Sequence, residues 1–172
     1  MTQNIPQKYI PPSISKKDYL KQRRNILKSR KLYKKGIFFS RPKIKTFKSR
    51  KTKHLRHVQQ MYGVENLKPT PMLARKTKCS LSALKKIVNK GRGAYFSSGS
   101  RPSQSAESWG LARLGSAITG DKASVVDYHI LREGCQKDSK ALRLATRRCK
   151  MQGNKKRCTL KQIQKQKQKQ KS

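Results

Sequence analysis

Asp127, His129 and Cys135 are an acid, a base and a nucleophile within nine residues of one another. Two positions apart on a helix, Asp127 and His129 point about 200° away from each other and form no dyad. Cys135 follows Gly134 and becomes a thiol–imidazole nucleophile only if a turn carries it back to His129. A surface histidine beside a small core cysteine fits the spacing better. His54 and His57, three apart, share one helix face, but their metal would need ligands from distant cysteines, and no zinc-ribbon spacing is present. The cysteines, Cys79, Cys135, Cys149 and Cys158, contain no CxxC. Met1 to Pro12 has no apolar signal-peptide core, so the expectation is a reducing compartment and free thiols. These residues lead us to expect no enzyme, no metal and no cofactor.

Phosphate recognition is the other chemistry to weigh. Residues 91–104, GRGAYFSSGSRPSQ, are rich in glycine and serine. Backbone N–H groups of such a loop cradle a phosphate, with Arg101 as a fork for two of its oxygens. The GK[ST] ending of a P-loop is absent, and a loop of this composition equally packs against a helix.

Of 172 residues, 45 are Lys or Arg and 7 are Asp or Glu, a formal net charge of +38. Leu, Ile, Val and Phe make up about a fifth of the chain. Such a charge needs a polyanion, and seven acids leave little material for acid–base or metal-carboxylate catalysis. Residues 1–90 carry 26 cations and 2 acids, residues 91–136 carry 5 and 4, and residues 137–172 carry 14 and 1. Two basic flanks thus surround a nearly neutral middle that holds the one tryptophan, Trp109. No stretch of 18 apolar residues exists, so no membrane is expected.

The elements follow from caps and stops. Pro6, Pro11 and Pro12 keep residues 5–12 extended. Ser15 caps a helix with Asp18 three residues on, Tyr19, Leu20, Ile26, Leu27 and Tyr33 form its apolar stripe, and Gly36 ends it. Residues 37–47 read as extended, and a second helix runs from Ser49 to Tyr62. Residues 69–90 resemble a helix–turn–helix or a plain helical hairpin. Leu81, Leu84, Ile87 and Val88 face inward and Ser82, Ala83, Lys85, Lys86 and Asn89 outward. Lys78 stands where that turn usually has glycine. Ser105 caps a helix through Ile118. Asp121 caps another, with Val125, Val126, Ile130 and Leu131 inside and Gly134 as its stop, and a last helix lies near 138–150. Lys161 to Ser172, KQIQKQKQKQKS, has no apolar face and reads as a disordered tail.

The stretch KGRGAYFSSGSRPSQSAESWGLARLGSAITGDKASVVDYHILREGC resembles the hallmark block of a family of small basic proteins of unassigned function. That family is encoded by large DNA viruses of algae and amoebae and by some tailed phages. SKKDYLKQRRNILKSRKLYKKGIFFSRPKIKTFKSRKTKH and LARKTKCSLSALKKIVNKG extend the resemblance to roughly residues 8–146. The chain departs from it at Phe96, Ser103, Ser105 and Asp121, and keeps the Ser–Gly–Ser–Arg–Pro centre. The resemblance implies a viral origin and no particular activity.

The expected fold is mainly α. A basic, partly extended arm (1–68) precedes a small helical core (69–146) that includes the loop 91–104, and a basic tail (147–172) follows. The expected function is non-specific neutralisation of nucleic-acid phosphates, duplex DNA first, by a virion-associated protein found in the host nucleus or cytoplasm during infection. The groups chosen to carry it are Arg23, Arg24, Lys34, Lys35, Arg50, Lys51, Lys53, Lys85, Lys86, Asn89, Arg92 and Arg101. The alternative is a structural virion or minor capsid protein whose arms bind capsid or core proteins. Tyr9, Tyr19, Tyr33, Phe38, Phe39, Phe47 and Tyr62, interleaved with the cations, suit either role: stacking on unpaired bases or anchoring to protein.

Overall fold

The computed structural model describes residues 4–49, 53–151 and 158. The expectation of a disordered tail at 161–172 lies outside them, as do Arg50 and Lys51. Among the described residues the fold is mainly α, with eight α-helices: α1 (Lys16–Tyr33), α2 (Lys53–Tyr62), α3 (Pro71–Thr77), α4 (Leu81–Ser97), α5 (Ala106–Ile118), α6 (Lys122–Val126), α7 (Tyr128–Gly134) and α8 (Lys140–Met151). They divide into two compact units: Met1–Thr52 with Asn89–Gly110, and Lys53–Val88 with Leu111–Ser172. These units do not follow the sequence divisions after residues 68 and 146.

The first unit is built on α1. Ser15 caps it by accepting from the Asp18 N–H, and Gly36 leaves it at φ +76°. Its buried face is only part of the expected stripe: Ile26 is buried and Leu27 and Tyr33 are partly buried. Gln22, Ile26 and Ser29 are buried, whereas Tyr19 and Leu20 are exposed. The two polar residues tolerate burial because each is hydrogen-bonded: Gln22 Nε2 donates to the carbonyls of Tyr9 and Ser100, and Ser29 Oγ donates to that of Phe96. Ile26 packs with Tyr9, Ile10, Ile14 and Ile44, and Trp109 adds an edge-on contact to Tyr9. The segment expected to be extended at 5–12 contains one 3-10 turn, Gln7–Tyr9, which carries Tyr9 into this core.

The second unit has the larger core. Val58, Leu73, Leu84, Ile87, Leu114, Ile118 and Leu131 are its deepest members. The helix expected after Asp121 is two short helices, α6 and α7, broken at Asp127. Asp127 is fully buried and accepts from Arg113 Nε at 2.6 Å and Nη2 at 2.8 Å, a bidentate pair that fixes the break. Val126 is therefore exposed, not inward. The Asp121 side chain makes no cap bond. Ser116 Oγ instead accepts from the Ala123 N–H.

The expectation of free thiols is overturned. Cys79 pairs with Cys135 and Cys149 with Cys158. Around Cys79 the backbone accounts for the pairing: the Ser80 N–H donates to the Gly134 carbonyl, and the Gln136 N–H donates to the Lys78 carbonyl. These bonds set Cys79 against Cys135 in an antiparallel bridge across 56 positions of sequence. A Cβ on Gly134 would collide with that of Ala83, so only glycine permits this approach.

Candidate nucleic-acid interface

In the first unit the outward side of α1 presents Arg23 and Arg24, and Lys34 and Lys35 follow its C-terminus, all exposed. Two neighbouring arginines have a different task. Arg41 is 8% exposed, and its hydrogen-bond acceptors are neutral oxygens. Its Nη1 donates to the Tyr95 carbonyl (2.8 Å) and to Ser29 Oγ, and its Nη2 donates to Ser100 Oγ (2.7 Å). Its guanidinium lies 3.6 Å from the Tyr95 ring centroid, and its N–H donates to the Tyr95 hydroxyl. Burial is the main influence that lowers its pKa, and the Tyr95 interaction opposes it. Arg30 Nε and Nη2 donate to the Ser98 carbonyl.

These contacts favour the packing reading of the glycine–serine segment. Residues 91–97 are the last turns of α4, not a loop, and only Gly99 among its glycines has a positive φ, +106°. Glycine weakens a helix interior by about 1 kcal/mol, and at Gly93 an added Cβ would sit 3.3 Å from the Tyr33 hydroxyl, a tight contact. The N–H groups of Ser98 and Gly99 both donate to the Ala94 carbonyl. The segment therefore offers carbonyls to arginines where a phosphate cradle would offer N–H groups. Arg101 stands exposed beyond it, and Arg92 is exposed with Glu107 at 3.7 Å.

In the second unit, α3, a turn and α4 form the hairpin. Lys78 adopts φ 54°, ψ 38°, the left-handed conformation that costs a non-glycine residue about 1–2 kcal/mol. Three ties offset it: the Cys79–Cys135 disulfide, the Gln136 bond to the Lys78 carbonyl, and a salt bridge from Lys78 Nζ to Asp138. That lysine lowers the pKa of the Asp138 carboxyl, chiefly by its hydrogen bond. Lys85 and Lys86 lie exposed on α4, Asn89 follows where the helix passes into the first unit, and Lys53 is exposed at the start of α2. Ala83, expected outward, is buried because the end of α7 closes over it.

The sequence-selected groups thus fall on both units: Arg23, Arg24, Lys34, Lys35, Asn89, Arg92 and Arg101 on the first, Lys53, Lys85 and Lys86 on the second. Of the interleaved aromatics, Tyr9 and Tyr62 are buried, and Phe39 lies under Lys28. Phe38 stays 67% exposed while touching the Tyr33 and Phe96 rings. Reasoning from sequence missed Arg41 and Arg113. Their partners lie 12 to 59 positions away, so no local spacing announces them.

The nucleophile constellation is dismantled. Cys135 is in a disulfide, and the Asp127 carboxylate is held by Arg113. Among the described residues, no group of three or more His, Cys, Asp and Glu is placed to hold a metal ion, and no helix is long and apolar enough to cross a membrane.

The family of unknown function DUF5824 matches residues 6–138. No curated protein and no solved structure matches the chain.

Proposed function

The chain belongs to the DUF5824 family of unknown function, and we propose that it binds nucleic acid by neutralising phosphates without reading sequence. One observation carries this reading. If every one of the seven acids paired with a cation, 38 of the 45 cations would still lack a carboxylate. Several acids are also engaged in holding the fold, Asp127 with Arg113 and Asp138 with Lys78 among them. Arg23, Arg24, Lys34, Lys35, Lys53, Lys85 and Lys86 point outward, and polyanionic phosphate is the partner with the matching charge density. The role is binding rather than catalysis. With the sequence resemblance, it becomes that of a virion-associated protein of a large DNA virus, made in the host cell and bound to duplex DNA.

The test is a salt titration of affinity for several unrelated duplexes beside an acidic-protein control. Equal affinities for all duplexes, with a steep inverse dependence on salt, are expected. Preference for the acidic protein would favour the second reading, a structural virion protein. Exposed Ile37 and Phe38 support that reading as an apolar contact for a capsid or core partner.

A further inference from the structure

In the second unit, α7, the turn after it and α8 enclose an open groove of about 660 Å³. None of its residues is among the cations selected from sequence. Arg143, Arg147 and Lys150 project from one side of α8, at the four- and three-residue spacings that share a helix face. Arg132 on α7 and Lys137 in the turn complete the cationic lining. On a convex basic surface such groups splay apart into solvent. Here they line a concavity with no carboxylate among its described lining residues, where the field of like charges is focused. Of the three acids next in sequence to lining residues, Asp127 is held by Arg113 and Asp138 by Lys78, and neither these nor Glu133 is part of the lining.

The rest of the lining is not cationic. Leu142 and Met151 supply apolar surface, and Tyr128 and Thr146 supply hydroxyls that bond each other at 3.2 Å. A few polar groups converging over an apolar floor, in a volume of about 300–1,000 Å³, is the usual form of a small-ligand site. The volume admits a nucleotide-sized group and not a duplex.

We propose that this groove is a nucleoside-phosphate site. Arg132, Arg143 and Arg147 grip phosphate oxygens, with Lys137 and Lys150 as supporting charges. Leu142 and Met151 take the apolar face of the base. The same chemistry is offered by a free nucleoside triphosphate and by the terminal nucleotides of a single strand. The site is separate from the outward cations that carry the duplex-binding reading.

The experiment titrates the full chain with ATP, with inorganic triphosphate and with a short 5′-phosphorylated oligothymidylate, following heat of binding at moderate salt. Two double variants are compared, Arg143→Gln with Arg147→Gln in the groove and Lys85→Gln with Lys86→Gln outside it. All four positions are exposed, so circular dichroism should match wild type. Saturable one-to-one binding of ATP or the oligonucleotide, tighter than inorganic triphosphate, is expected. The groove variant should weaken it at least tenfold and the outer variant less than twofold. ATP binding more tightly would assign the groove to free nucleotides, and the oligonucleotide binding more tightly would assign it to strand ends. Equal loss in both variants, equal affinity for inorganic triphosphate, or no saturable binding would overturn the proposal. Duplex affinity reduced only by the outer variant would leave the two readings separately resolved.

Discussion

At the scale of single residues, the cations divide by what they touch. Arg41 donates to one carbonyl and two hydroxyls, three acceptors that would lose their partner if it were shortened. Lysine keeps the charge but loses the planar fork. Arg41→Lys should therefore destabilise the chain by about 1.5–3 kcal/mol, the worth of a charged buried hydrogen bond, as read by denaturant unfolding. Arg101 is exposed, and the N–H groups of Ser98 and Gly99 are already bonded. Arg101→Lys should then retain duplex affinity, while Arg101→Ala should make the salt slope shallower by about one phosphate. If lysine weakened binding as much as alanine, a bidentate anion contact at Arg101 would be established after all.

His54 titrates in a different window. It is half-buried beside Gly115, and desolvation lowers its pKa below 6.5, with His57 acting in the same direction and Asp121 opposing. Between its folded pKa and 6.5, the unfolded chain binds more protons at this position than the folded one, so stability rises with pH there. The contribution is fully present above about pH 6.5 and is lost as pH falls through the lowered value. Urea midpoints across pH 5 to 8 should show this decline, and His54→Gln should flatten it. Asp18 and Asp138, both with lowered pKa values, contribute stability that is present above about pH 3.8 and is lost only as pH falls through the lowered values, outside this window.

At the scale of elements, the closure of the α3–α4 turn against the end of α7 is the feature most open to test. Gly134→Ala places a methyl into Ala83, and overpacking of this kind costs about 1–3 kcal/mol. The Cys79–Cys135 link closes a loop over 56 positions, so the Cys79→Ser, Cys135→Ser pair should cost about 4 kcal/mol on the chain-entropy account. Thermal melts check it, and wild type under reductant should lose at least as much as the double variant does without it, because reductant also opens Cys149–Cys158.

What sequence made legible at this scale was local. Ser15 with Asp18 and Gly36 mark the ends of α1 because caps and stops act over three or four residues. The same reasoning failed wherever a distant partner decided the outcome. Gln22 and Ser29 are buried by bonds to residues up to 78 positions away. The α6–α7 break at Asp127 exists for Arg113. α4 runs on through Gly91 and Gly93, against their propensity, because tertiary packing outweighs it. The outward cations were legible because so acid-poor a chain has few carboxylates to pair with them. The groove on α7 and α8 was not, because concavity is a property of packing.

At the scale of the whole molecule, the charge itself makes the prediction. A +38 chain that neutralises phosphates releases counterions, and each phosphate contributes about −0.9 to the slope of log K against log salt. Engagement of about eight to ten cations at once gives a slope of roughly −7 to −9 on duplex DNA, the same for unrelated sequences. Deleting Lys161 to Ser172 removes five lysines and should make the slope shallower by up to about 4. Binding should persist, because residues 1–90 retain 26 cations. The affinity lost should also shrink as salt rises, since the truncated and full-length lines converge when only counterion release separates them. A slope near zero for the full chain would exclude phosphate neutralisation and point to protein partners. A truncation that shifts the line without tilting it would mean that those lysines act through something other than phosphate contacts.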